Sequence, residues 1–201
     1  MPRIQFDPAE HKYTVDGEVL PSVTEILSSV GIPDFSKVPK ETLDAALVFG
    51  KCAHIMTELY DRDDLDIDGL DPELRPLLDQ WIEAKKILEI PSIADGLHVE
   101  EPVCTKEYAG TPDRFWFRNN ALFIPDVKTG IDSEVAPFQT FAYAGAIQYC
   151  YPNVANRIRR YSVHLIRGAK TCKIVEHKDA MDMIIFRSAL NIYNYRKGMM
   201  K

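Results

Sequence analysis

Two aspartates and a lysine stand close together near the middle of this chain. Asp113 lies in Gly110-Thr111-Pro112-Asp113-Arg114, and Asp126 and Lys128 lie in Asp126-Val127-Lys128-Thr129-Gly130. Paired carboxylates hold hard divalent cations, with water and phosphate oxygens completing the shell. An ammonium beside them can orient an attacking water or help deprotonate it, and can stabilise charge developing on a phosphate. The chemistry these residue types allow is metal-dependent phosphodiester hydrolysis. Taken alone, Asp-x-Lys is an ordinary exposed pair on a strand. The reading rests on its conjunction with Asp113 and with Gln139-Thr140-Phe141-Ala142-Tyr143, whose Gln139 and Tyr143 are one helical turn apart on one face.

The elements that position these groups follow from local patterns. Ile4-Gln5-Phe6 and Lys12-Tyr13-Thr14-Val15 alternate like strands, and Asp16-Gly17 is a hairpin signal because both residues tolerate positive φ. Ser22 with Glu25 forms a capping box, predicting a helix over 23–29 that stops near Gly31. From Lys40 to Tyr60, Leu43, Leu47, Gly50 and Ala53 or His54 recur at helical spacing, which puts His54 at or beside a buried face. An acidic run (Asp61, Asp63, Asp64, Asp66, Asp68, Asp71, Glu73) reads as a polar loop, followed by a helix from about Pro72 striped by Leu74, Leu77, Leu78, Trp81 and Leu88.

Three strands are expected next, over 97–104, 111–117 and 121–127, the last two joined by the tight turn Arg118-Asn119-Asn120. Asp113 then lies in the second and Asp126 at the end of the third, with Asp126 and Lys128 sharing a face. Pro125 cannot donate to a ladder, so a bulge or an exposed edge is expected beside Asp126. A helix over 137–149, strands over 160–166 and 172–175, and a last helix striped by Met181, Ile184, Ile185, Ala189 and Ile192 complete the chain. The fold class expected is α+β in one domain over 1–201, with a central mixed sheet flanked by helices. Residues 1–70 form an N-terminal hairpin and helical extension carrying His54, and 71–201 form an αβββαβ-type core.

With 46 % apolar and 27 % charged residues, the 201-residue composition is that of a soluble globular chain. No apolar run approaches the roughly 20 residues that span a bilayer, and the start has no signal or transit composition, so the expected location is cytoplasmic, with no membrane partner. Cys52, Cys104, Cys150 and Cys172 are scattered without metal-binding spacing and read as reduced thiols. The net charge of -6 speaks against simple phosphate neutralisation. Against that, Arg157, Arg159, Arg160, Arg167, Lys170 and Lys173 form a basic stretch, either a nucleic-acid face or a solvated one.

Thr111-Pro112-Asp113, Asp126-Val127-Lys128 and Gln139-x-x-x-Tyr143 together resemble the PD-(D/E)xK nuclease superfamily, specifically its RecB-like, phage-type exonuclease branch. Pro21-Ser22-Val23-Thr24 after a hairpin, and the G-x-x-x-H helix Gly50 to His54, extend the resemblance over most of the chain. It implies a restriction-endonuclease-like core and a metal-dependent DNA exonuclease of recombination or DNA processing in a bacterial or phage-infected cell. An endonuclease of the same superfamily and a non-catalytic DNA-binding protein keeping the fold are the alternatives. Residue by residue it implies Asp113, Asp126 and Lys128 as catalytic. His54, Asp113, Asp126 and the Val127 backbone carbonyl become metal ligands, and Gln139, Tyr143 and Arg114 contact the substrate.

Such nucleases often add a glutamate from the preceding strand. Of Glu100 and Glu101, which point opposite ways on a strand, the E-x-P-V spacing favours Glu100. A lone histidine on an apolar face is ordinarily a core residue, and only the resemblance makes His54 a ligand; its imidazole suits Mn²⁺ as well as Mg²⁺. His11, His98, His164 and His177 read as structural. Some relatives carry a four-cysteine iron–sulfur cluster, but the C-terminal cysteine group it needs is missing, so none is expected. The partners implied are DNA and a single-strand annealing or other recombination protein.

Overall fold

A computed structural model describes residues 2–130 and 132–199. It opens on a three-stranded antiparallel sheet, β1 (Ile4–Asp7), β2 (Lys12–Val15) and β3 (Glu18–Leu20). Asp16 and Gly17 turn the chain between β2 and β3 with φ of 50° and 93°, the paired positive values of a type I′ turn. α1 (Val23–Ser29) follows, held by the expected box: the Ser22 hydroxyl accepts from the Glu25 N–H, and the Glu25 carboxylate accepts from the Ser22 N–H. α2 (Lys40–Asp61) and α3 (Arg75–Leu88) come next.

The central sheet has the order β10-β9-β8-β7-β4, from β4 (His98–Val99), β7 (Arg114–Arg118), β8 (Ala121–Thr129), β9 (Arg157–Leu165) and β10 (Lys173–His177). Only β8 and β9 run parallel, because α4 (Ala136–Cys150) carries the chain back between them. α5 (Met181–Met199) closes the fold. The result is a mixed α+β architecture with helices on both faces of a mixed sheet. No helix among the described residues is long and apolar enough to cross a membrane.

Alternation along β8 divides the core. Leu122 and Ile124 face the cluster built by α1, α4 and α5, whereas Phe123 and Val127 face the cluster of α2 and α3. Asp126 and Lys128 continue the Leu122–Ile124 side, so an apolar face becomes a charged one at the end of the strand.

Four expectations need correction. The strand expected over 97–104 is broken at Glu100, whose φ is 49°. Val103–Cys104 (β5) instead pairs with Ala109–Gly110 (β6) as a separate ribbon. The strand expected from Thr111 begins only at Arg114, after Pro112 has removed a ladder donor. On α5, Met181, Ile184 and Ile192 are exposed; the buried stripe is Asp182, Phe186, Ala189 and Leu190. The α5 sequence carries two interleaved apolar stripes, and the one beside Asp182 wins because its carboxylate pairs with buried Arg160 at 2.8 Å. In α2, burial starts at Ala53; Leu47 is exposed.

Pro125 sits in β8 without a bulge, in unbroken register with Tyr161 of β9. The Val127 N–H points away from β9 toward the β7 side, where it meets the Asp113 carboxylate. By strand alternation the missing Pro125 N–H falls on that side too, beyond Phe123, where the β7 ladder has already ended. The local open edge, one of the two outcomes foreseen, is what the proline occupies.

Candidate metal centre

The site forms in the fork where β7 leaves β8. Asp113, in the bend before β7, plugs the fork: its Oδ2 accepts the Val127 N–H at 2.6 Å. Its carbonyl accepts the Glu100 N–H at 3.0 Å, which ties the break after β4 to the same point. The left-handed turn at Glu100 then aims its carboxylate inward. α2 packs across the end of β8 so closely that a Cβ on Gly50 would lie 3.2 Å from Thr129 Oγ1, and one turn later His54 Nδ1 reaches Asp113 Oδ1 at 3.4 Å. Ligand atoms of His54, Glu100 and Asp113 all lie within 4.8 Å of one another.

Asp126 and Lys128 stand beside this trio. Lys128 Nζ is 2.6 Å from Asp126 Oδ2, an ionic contact without the alignment of a hydrogen bond. Asp126 is therefore not one of the three clustered ligands but the anion that faces the lysine. The Val127 carbonyl is turned to the same side as its N–H, toward Asp113.

The electrostatics separate the three carboxyls. Burial pushes Glu100 up to about 8, with the Asp113 charge adding to it. Burial also pushes Asp126 up, to about 6, against the opposing pull of Lys128. Asp113 is buried too, but His54, Lys128 and Arg114 outweigh that and hold its carboxyl well below the usual range. Burial works against charge on His54 and Lys128, yet Asp113 raises the first and Asp126 with Asp113 raises the second. Lys128 is thus an ammonium here, suited to stabilising anionic charge rather than to accepting a proton. His54, Glu100 and Asp113, crowded at this fork, form a donor set that fits a divalent cation.

The other site residues expected from sequence fall as follows. Gln139 is buried at 7 % exposure and its Oε1 has no hydrogen-bond partner. Tyr143 is also buried, its ring packed where a Cβ on Gly110 would come within 2.7 Å, so it is a wall of the site and not an open substrate contact. α4 buries nine of its fifteen residues, which leaves little of it to face a ligand. Arg114 cannot touch substrate at all. It is fully buried over the Trp81 ring, donating from Nε to Asp61 Oδ2 at 2.6 Å and from Nη2 to Thr57 Oγ1 at 3.2 Å. Its Nη1 donates to the Asp113 carbonyl at 2.7 Å and to Glu100 Oε1 at 3.4 Å. Glu101 pairs with His98 Nδ1 at 2.6 Å and with the Tyr151 hydroxyl.

Asp61 and Tyr13 escaped the sequence reading. Asp61 is no polar-loop residue: it ends α2, is buried, and pairs with Lys85 as well as Arg114. The signal was there, because Asp61 lies seven residues past His54 on the same helical face. Tyr13 binds Thr111 Oγ1 through its hydroxyl at 2.8 Å, steadying the segment before Asp113.

No family model matches this sequence. No curated protein does either. Among solved structures there is a likeness to the crystal structure of SSO0001, at 10 % identity and a TM-score of 0.37, covering 90 % of this chain and 78 % of that one. A likeness that weak carries no argument, and the site has to be read from its own geometry.

Behind β8, Ser162 and His164 of β9 extend the polar row. His164 Nδ1 lies 3.0 Å from the Gly130 carbonyl, which can only accept, so Nδ1 carries the proton and Nε2 accepts from Ser162 Oγ at 2.9 Å. His177 Nε2 meets the same hydroxyl at 3.1 Å. Burial holds both imidazoles below their ordinary value of 6.5. The unfolded chain therefore binds more protons, and the stability of the neutral pair is present above 6.5 and lost as pH falls below it. Melting curves between pH 7.5 and 5 should show a shallower decline for His177→Gln than for the native protein; parallel declines would contradict the assignment.

Proposed function

We propose that this protein is a Mg²⁺- or Mn²⁺-dependent deoxyribonuclease acting as an exonuclease on a restriction-endonuclease-like core. The observation that carries the reading is the meeting of His54, Glu100 and Asp113 within 4.8 Å at a fork whose other wall is the Asp126–Lys128 pair. His54, Glu100 and Asp113 would hold the cation, with the Val127 carbonyl turned toward it and Asp126 beside it. A bound divalent cation supplies Lewis acidity and a nucleophilic water at neutral pH. The chain's own contribution is the Lys128 ammonium, kept charged and kept in place by Asp126, which offsets negative charge building on the phosphate. His54 and Arg114 keep Asp113 ionised, so the fork offers a carboxylate at every pH where DNA is stable.

Saturation with Mn²⁺ should raise the melting temperature. At one hundred times Kd the gain is about 2.7 kcal/mol, or about 5–10 °C for a chain of this size. EDTA should reverse the shift and silence cleavage of end-labelled DNA. The absence of both a shift and EDTA-sensitive cleavage would overturn the proposal, and cutting of closed circles as fast as linear DNA would move it to an endonuclease.

A further inference from the structure

A cleft of about 650 Å³ reaches the proposed metal centre at His54, and Lys128 and Gln139 line it as well. One wall comes from α1 and the segment after it (Leu27, Ile32, Phe35), the other from the exposed half of α2 (Leu43, Leu47). Phe35 is 45 % and Leu47 58 % exposed, an apolar cost that the fold alone does not explain. A cleft of this volume belongs to the class that takes a small molecule or one or two splayed nucleotides, not a double helix.

The charges around it point the same way. Four residues of the basic stretch are engaged in ion pairs. Arg159 is paired with Glu176, Arg160 with Asp182, Arg167 with Glu73 and Lys173 with Asp132. Among the described residues lining the cleft, Lys51 and Lys128 are the lysines, while Asp34, Asp132 and Glu134 are the carboxylates, Asp132 being paired with Lys173. Duplex DNA presents its phosphates outward at one charge per about 1.7 Å and would meet carboxylates and apolar side chains here. An unpaired base would instead meet a half-exposed phenyl ring and leucines, with its phosphate held back on the lysine side.

Resting on the nuclease reading, we propose that the substrate is an unpaired DNA end whose terminal base enters this cleft and stacks on Phe35 against Leu47. The carboxylates of Asp34 and Glu134 discourage a continuous backbone from running onward, which makes the site one for ends. Base stacking on an aromatic platform supplies the affinity that phosphate neutralisation does not.

The test uses the native chain with Mn²⁺ on end-labelled DNA of one sequence as single strand, blunt duplex and duplexes with 5′ or 3′ overhangs. Single strands and one overhang type should be cut at least tenfold more efficiently than the blunt duplex. Phe35→Ala and Leu47→Asp, on opposite walls and both at exposed positions, should each raise KM for the single strand about tenfold with little change in kcat and unchanged melting. With EDTA present, a single strand carrying terminal 2-aminopurine should be quenched on binding, and its affinity should fall with salt at a slope of about -1.4, two phosphates' worth. Equal cutting of blunt duplex, or a KM unmoved by both variants, overturns the proposal. Absence of cleavage on every substrate overturns the nuclease reading instead; quenching that Phe35→Ala abolishes would then uphold the cleft, and no quenching would overturn it.

Discussion

Asp126→Asn is expected to abolish cleavage, by about 10²–10⁴-fold, while leaving the metal-free protein as stable as the native chain or more so. The two halves of the result have one cause. Asp126 is 3 % exposed, and burial pushes its carboxyl up to about 6, further raised by the Asp113 charge and only partly offset by Lys128. A carboxyl raised in the folded state holds its proton more tightly there than in the unfolded chain. Above that range the fold therefore carries the full cost of ionising it, and an amide of the same shape removes that cost. Removing the charge also releases Lys128, which then has Asp113 alone to hold its ammonium, and loses the anion that aims it at the phosphate.

The contrast with Asp113→Asn sharpens the test. Asp113 is held below the usual range by His54, Lys128 and Arg114, and its Oδ2 takes the Val127 N–H where the β7 ladder has ended. An amide there weakens a charge-assisted bond and strands a buried donor, a loss of about 1–3 kcal/mol. Both variants should be inactive on end-labelled DNA, but only Asp113→Asn should melt several degrees lower. Activity within tenfold of native for Asp126→Asn, or equal melting losses in the two, would sink the assignment of roles.

What could be read from the sequence was what is decided locally. The Ser22–Glu25 box, the Asp16-Gly17 and Asn119-Asn120 turns with both residues at positive φ, and the shared face of Asp126 and Lys128 all follow from neighbours in the chain. Glu100 did not, because glutamate rarely adopts the left-handed conformation and no residue type beside it announces the break. Strand alternation let only one of Glu100 and Glu101 face the site and the E-x-P-V spacing favoured Glu100, which does lie beside His54 and Asp113, but out of a left-handed turn and not a strand. The basic stretch stayed open between a nucleic-acid face and a solvated one for a different reason: the ion partners of four of its residues, Glu73, Asp132, Glu176 and Asp182, come from α5, β10 and loops that the local pattern does not reveal. Arg114 and Asp61 misled together, since two charged residues that bury each other look, one at a time, like a substrate contact and a solvated loop.

That buried pair yields the second large effect. Arg114→Met should cost about 3 kcal/mol, the lower part of the range for breaking a buried ion pair, because Lys85 still compensates Asp61. For this chain length that is about 6–12 °C in melting temperature. Arg114→Lys keeps a charge but not the planar fork, so it should retain most of the stability while losing the simultaneous contacts to Thr57, the Asp113 carbonyl and Glu100. Partners that orient ligands are worth about 10- to 100-fold in metal affinity, and Mn²⁺ titration calorimetry of Arg114→Lys should show a loss in that range. The double change Asp61→Leu with Arg114→Met separates the two roles. It replaces a buried ion pair with apolar volume and should regain much of the melting temperature, yet Mn²⁺ affinity should stay low because Glu100 is no longer tethered. Affinity that recovers together with stability would show that Arg114 acts only through the fold; affinity that stays low would show that a buried core arginine sets the geometry of the metal centre from behind.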